Sequence, residues 1–102
     1  MRGALILAAL LSAAGTARAA EDGQALFRTR CGICHLQRGF GANILSRRVG
    51  PEKSLIEART DLTADYIRFS VRRGVGSMPR FSKVELTDAE LASITAYLTR
   101  GR

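Results

Sequence analysis

The segment Cys31-Gly32-Ile33-Cys34-His35 holds both cysteines of the chain and its single histidine within five residues. Thiolates and imidazoles bond soft and borderline metals, and thiols also add to carbon. Several chemistries use such groups. A structural zinc site draws four ligands, mostly Cys and His; this chain has three such side chains, and Cys34 and His35 are adjacent, which strains a tetrahedron. A thioredoxin-like pair needs C-x-x-C in a βαβ setting, and strand-like alternation is nearly absent here. A disulfide across C-x-x-C closes a very short loop, gains little and leaves His35 without a role.

C-x-x-C-H is also the c-type haem attachment pattern, and each of its parts then has a use. The two thiols add across the two vinyl groups of haem to form thioethers. Their spacing of three, on a helical turn, suits the distance between those vinyls. His35, next to the second thioether, falls under the iron and offers an axial nitrogen. The expected cofactor is one covalent haem c on Cys31 and Cys34.

Haem iron has a second axial position. With one histidine, bis-histidine ligation within the chain is impossible. Besides Met1, the only methionine is Met78, in "GVGSMPRF". Glycines let that loop fold over a haem face, and Pro79 stiffens it. A lone methionine usually fills a core, but one followed by proline in a loop suits that poorly. Met78 is the expected sixth ligand; Lys53, Lys83 or a vacant position are the alternatives. A thioether ligand favours Fe(II). With both axial positions filled and no second histidine as a distal acid–base group, the reading is an electron carrier and not an enzyme. A ligand-binding haem protein with a labile Met78 is the remaining alternative of that kind.

These side chains must be held by elements the rest of the chain supplies. Arg2, the apolar run of residues 4–14 and Ala17-Arg18-Ala19 form a charged start, an apolar stretch and an A-x-A cleavage site, so residues 1–19 read as a secretory signal peptide. The run is about half the roughly 20 residues a membrane span needs. Residues 20–102 are then one domain, expected in a bacterial periplasm, with no membrane span after cleavage. A domain of this size buries little surface and benefits from a staple, and a bound cofactor would help fill its core. Without Arg2 and Arg18, 14 basic residues face 9 acidic ones. Nucleic acid is not an expected partner outside the cytoplasm, and no aromatic residues interleave the arginines as a stacking platform requires. The basic stretch from Arg28 to Lys83, with doublets at Arg47-Arg48 and Arg72-Arg73, reads as a docking face for an acidic protein.

The pattern is all-α, in four helical pieces. The first covers Asp22 to Arg30, with Gly23, Leu26, Phe27 and Arg30 on one face. "LQRGFGAN", residues 36–43, reads as a glycine-rich loop unable to hold a long regular element. Pro51 starts a short helix through Arg59. Thr63 caps a third over Ala64–Arg73, with Leu62 and Ile67 as a hydrophobic staple and Gly74 as the stop. Thr87 to Glu90 is a capping box for the last helix, with Leu91, Ile94 and Leu98 in a stripe, Tyr97 beside it and Gly101 at the end.

On "CGICH", Met78-Pro79, Gly23 with Phe27, and the closing "ELASITAYL", the chain resembles class I cytochrome c over essentially all of residues 20–102. The interval of 43 residues from His35 to Met78 is similar to the short bacterial forms. The resemblance implies a small cytochrome c fold in which the N- and C-terminal helices cross, Gly23 and Phe27 meeting Tyr97, with two shorter helices around one haem. Family members carry Gly-Pro soon after the haem motif, whose carbonyl accepts a hydrogen bond from the proximal histidine. Here "GANIL" stands at that distance and Gly50-Pro51 comes later, so Ala42 or Asn43 is the expected acceptor. More narrowly, "YIRFSVRRGVGSMPRF" is similar to the cytochrome subunits of p-cresol methylhydroxylase-type flavocytochromes, over about a third of the chain. The implied partners are a periplasmic dehydrogenase, for which the narrower resemblance implies a flavoprotein, and an electron acceptor protein. As an alternative to a free carrier, the chain would be a tightly bound subunit of a flavoprotein hydroxylase or dehydrogenase acting on phenolic substrates.

Overall fold

The computed structural model describes residues 22–101; the signal peptide expected at 1–19 lies outside them. Five α-helices are present among these residues. The chain is helical at 22–30 (α1), Gly32–His35 (α2), Phe40–Val49 (α3), Ala64–Arg73 (α4) and Asp88–Leu98 (α5). No strand occurs among the described residues; one isolated antiparallel bridge joins Val75 and Met78.

Helices α4 and α5 follow from local chemistry. The Thr63 hydroxyl accepts from the Tyr66 N–H at 3.2 Å, Leu62 and Ile67 are both buried as a staple requires, and the Gly74 N–H closes the helix onto the Ser70 carbonyl. At α5 the capping box is complete. The Thr87 hydroxyl accepts from the Glu90 N–H, and the Glu90 carboxylate accepts from the Thr87 N–H, both at 3.1 Å. Thr87→Ala removes half of that exchange and should lower the unfolding free energy by about 1 kcal/mol; denaturant unfolding of the haem-loaded protein checks it. The helix ends at Leu98, before Gly101. Arg100 folds back there: its guanidinium donates to the Tyr97 carbonyl at 2.7 Å and lies 4.1 Å from the Tyr97 ring centroid. A side chain thus serves an end carbonyl that a glycine cap would otherwise leave to backbone.

The crossing of α1 and α5 builds the core. A β-carbon on Gly23 would collide with the Ser93 carbonyl and lie 2.9 Å from Tyr97 Cβ, so the two helix backbones are in contact at this point. One turn on, the fully buried Phe27 meets Tyr97 with ring centroids 6.0 Å apart. At the next turn Arg30 pairs with Glu90 at 3.3 Å. The expected Gly23–Phe27–Tyr97 contact is therefore present. Tyr97 also donates from its hydroxyl to Glu57 at 2.6 Å, tying α5 to the middle of the chain. Leu62, Ile67, Val71, Leu86, Leu91, Ile94 and Leu98 complete the same cluster.

Two segments differ from the sequence expectation. The stretch taken as a loop over 36–43 turns at Leu36–Gly39 and then enters α3 at Phe40. Glycine disfavours helix by about 1 kcal/mol, yet tertiary contact requires it here. A β-carbon on Gly39 would collide with the Cys34 carbonyl and one on Gly41 would lie 2.9 Å from it. α3 thus packs its start directly on the backbone of the cysteine motif. The short helix expected from Pro51 to Arg59 is instead two 3₁₀ turns, Pro51–Lys53 and Ile56–Ala58. They are separated where Leu55 is extended (φ −98°, ψ 105°), which breaks the helical ladder.

Candidate functional site

The cysteine motif sits on an interrupted helix. The Cys31 N–H still donates to the Phe27 carbonyl at 2.8 Å, continuing α1. Cys31 itself (φ −117°, ψ −17°) breaks the run, and α2 restarts with the His35 N–H donating to the Cys31 carbonyl at 2.9 Å. One turn therefore separates Cys31 from His35, and all three reactive side chains line one cavity of about 460 Å³. That volume lies within the roughly 300–1,000 Å³ of small-molecule and cofactor sites. Both cysteines are free thiols. Burial pushes the Cys31 thiol up to about 11, with Arg30 opposing and Cys34 reinforcing the shift. Burial also lowers the pKa of His35, which favours the neutral imidazole that binds metals.

Another part of the cavity wall comes from the chain beyond α4. After α4, Val75 and Met78 exchange backbone hydrogen bonds at 3.1 and 2.9 Å across a tight turn. Met78, Pro79 and Phe81 line the same cavity as His35. The other proposed ligands lie elsewhere. Lys53 pairs with Asp61 at 3.5 Å and Lys83 with Asp88 at 3.3 Å, and neither lines the cavity. Helix α3, unanticipated from sequence, supplies Ile44 and Leu45; α4 supplies Ile67 and Val71. Arg30, Arg48 and Arg59 also border the cavity. Of these Arg59 is held by Asp61 through two bonds of 2.8 and 2.9 Å.

The residues present fit a haem. Two thiols, one imidazole and one thioether line a largely apolar chamber with arginines at its border. A bare ion would find no home: among the described residues no three His, Cys, Asp or Glu side chains are grouped to hold one. The His35 surroundings depart from expectation in one respect. His35 Nδ1 is buried without a hydrogen-bond partner, so neither Ala42 nor Asn43 accepts from it. Both residues lie inside α3, where main-chain carbonyls serve the helical ladder. Instead Gly41 approaches the ring, its position such that a β-carbon would lie 3.3 Å from His35 Cε1. Gly41 lines the cavity and Gly39 packs on the Cys34 carbonyl; neither is singled out by the sequence, where the two glycines within six residues of His35 mark a loop and not a close approach.

Comparison with known proteins agrees with this chamber. A family described as "Cytochrome C oxidase, cbb3-type, subunit III" matches residues 18–98. Cytochrome c6 of Euglena gracilis is 32% identical over 78 residues, covering 74% of this chain and 85% of its own. Cytochrome c6 of Gloeothece citriformis (strain PCC 7424) is 30% identical over 79 residues, covering 78% of this chain and 68% of its own. No solved structure matches. These matches lend no support to the narrower resemblance to p-cresol methylhydroxylase-type subunits. With an all-α core crossed at Gly23, an apolar chamber fitted to haem, and relatives of this kind, the chain belongs to the class I c-type cytochromes, small electron carriers with one covalently bound haem c.

Proposed function

We propose that the exported chain works in the periplasm as a single-electron carrier between a dehydrogenase and a downstream acceptor protein. In this reading Cys31 and Cys34 hold the haem as thioethers, and His35 and Met78 are its axial ligands. The carrying observation is that these four side chains, with an interval of 43 residues from His35 to Met78, line one largely apolar cavity. Bound haem supplies a one-electron couple; the chain does the rest. The Met78 thioether favours the reduced form, and the apolar walls keep water from the cofactor. With His35 and Met78 both bound to the iron, no ligand position would be left for oxygen or peroxide. The exposed Arg48 at the cavity border would attract an acidic partner, an attraction that salt screens.

The cytochrome c6 relatives favour a free carrier, and the oxidase named in the matched family's description suggests the class of acceptor. The test is spectroscopic. The purified protein should give a pyridine haemochrome of the c type, a methionine–iron charge-transfer band when oxidised, and little carbon monoxide binding when reduced. Met78→Ala should abolish the band and open the reduced protein to carbon monoxide. A wild-type protein without the band would refute Met78 as ligand.

A further inference from the structure

Arg72 does not line the haem cavity, yet it holds the segment that follows Met78. Its Nη1 donates to the Phe81 carbonyl at 3.0 Å and to the Leu86 carbonyl at 2.9 Å, and its Nη2 to Asp88 Oδ1 at 2.7 Å. The side chain is only 22% exposed. These three acceptors span the whole return from the Met78 turn to the first residue of α5. The other ties of this segment lie on the same side of it. The Phe81 N–H donates to the Val71 carbonyl at 2.8 Å. Gly74, at φ +75°, lets the chain turn so closely that a β-carbon there would lie 2.8 Å from the Met78 carbonyl. Between these anchors the loop's own ties are short-range or at its exposed edge: the Glu85 and Leu86 N–H groups donate to the Ser82 hydroxyl and carbonyl at 3.2 and 3.0 Å, and Lys83 pairs with Asp88 at 3.3 Å. Leu86 is buried in the core while Val84 is 93% exposed, so Arg72 is the side chain that ties the segment back to α4.

We propose that Arg72 is the positioning residue for the sixth ligand: its guanidinium clamps the 81–88 return to α4 and so keeps Met78 against the iron. The inference rests on Met78 being that ligand. Arginine suits the task because one planar fork serves three acceptors, which the point charge of lysine does not. Hydrogen bonds to charged groups are stronger than neutral ones, so losing the fork should loosen this loop before it loosens the α1–α5 crossing, which Arg72 does not touch.

The experiment uses the haem-loaded protein with Arg72→Gln, Arg72→Lys and, as a charge control on the same helix, Arg68→Gln. Arg68 pairs with the exposed Asp65 of its own helix at 3.2 Å. In Arg72→Gln the methionine–iron band should fade on heating well before the far-ultraviolet helix signal does. Carbon monoxide should bind the reduced form about tenfold faster, the change expected when a charge-assisted bond is lost from a loop that must open. Arg72→Lys should fall between this variant and wild type, and it keeps the test decisive if Arg72→Gln does not fold. Arg68→Gln should match wild type. If band and helix signal are lost together in both Arg72 variants, Arg72 supports only the fold and the proposal fails. It fails too if both variants keep wild-type band and carbon monoxide rates. A wild-type protein lacking the band would instead overturn the Met78 assignment, and this inference with it.

Discussion

Cys31→Ala/Cys34→Ala is expected to abolish covalent haem and, with it, most of the folded structure. Without thioethers, haem stain should no longer follow the polypeptide through a denaturing gel. The loss of fold follows from size. The described domain is about 80 residues, and chains this short have little margin over the 5–15 kcal/mol of ordinary domain stability. An apolar chamber of about 460 Å³ at its centre must be filled or must collapse. Residues of α1, α3, α4 and the Met78 turn all face it, so collapse would pull apart the elements that the haem joins. Far-ultraviolet circular dichroism of the double variant should therefore show largely unfolded chain. Each single variant retains one thioether and His35, and should remain folded with reduced stability. A double variant with wild-type helix content would show that the protein frame stands without its cofactor.

Gly23→Ala should destabilise the haem-loaded protein by about 2 kcal/mol, and Gly23→Val by about 3 kcal/mol, in the range for overpacking a filled site. The sign is the informative part. In an exposed helix, alanine for glycine stabilises by about 1 kcal/mol. Here the added carbon would collide with the Ser93 carbonyl, which is backbone in the middle of α5 and cannot swing aside as a side-chain tip would. Relief requires α1 to lift from α5, which parts Phe27 from Tyr97 and Arg30 from Glu90. For a domain of this size a loss of 2 kcal/mol lowers the melting temperature by about 8–16 °C. Thermal unfolding followed at the haem and in the far ultraviolet measures it. A melting temperature at or above wild type would mean the helices do not cross at Gly23.

Legibility varied with how local each signal was. Thr63, Gly74 and the Thr87–Glu90 box satisfy backbone groups three or four residues away, so the start and stop of α4 and the start of α5 could be read directly. The end of α5 could not, because Thr99 and Arg100 rather than Gly101 serve its last carbonyls. Helix α3 was hidden for a related reason. Gly39 and Gly41 argue against helix by propensity, and only their contact with the Cys34 carbonyl explains why helix wins. The expected acceptor for the His35 ring was wrong because a helix occupies the carbonyls that a loop would have left available.

By itself the sequence determined the chemistry: a cysteine pair, the adjoining histidine and no second copy of either residue leave few cofactors to consider. Covalent neighbours carry that information without any fold. Only the tertiary structure decided that Met78 lines the same cavity as His35, that Gly23 sets the distance between α1 and α5, and that Arg72 holds the return from Met78. Each of these depends on packing between segments far apart in the chain, where approach is settled by excluded volume and by which buried polar groups find partners, and no local spacing encodes either.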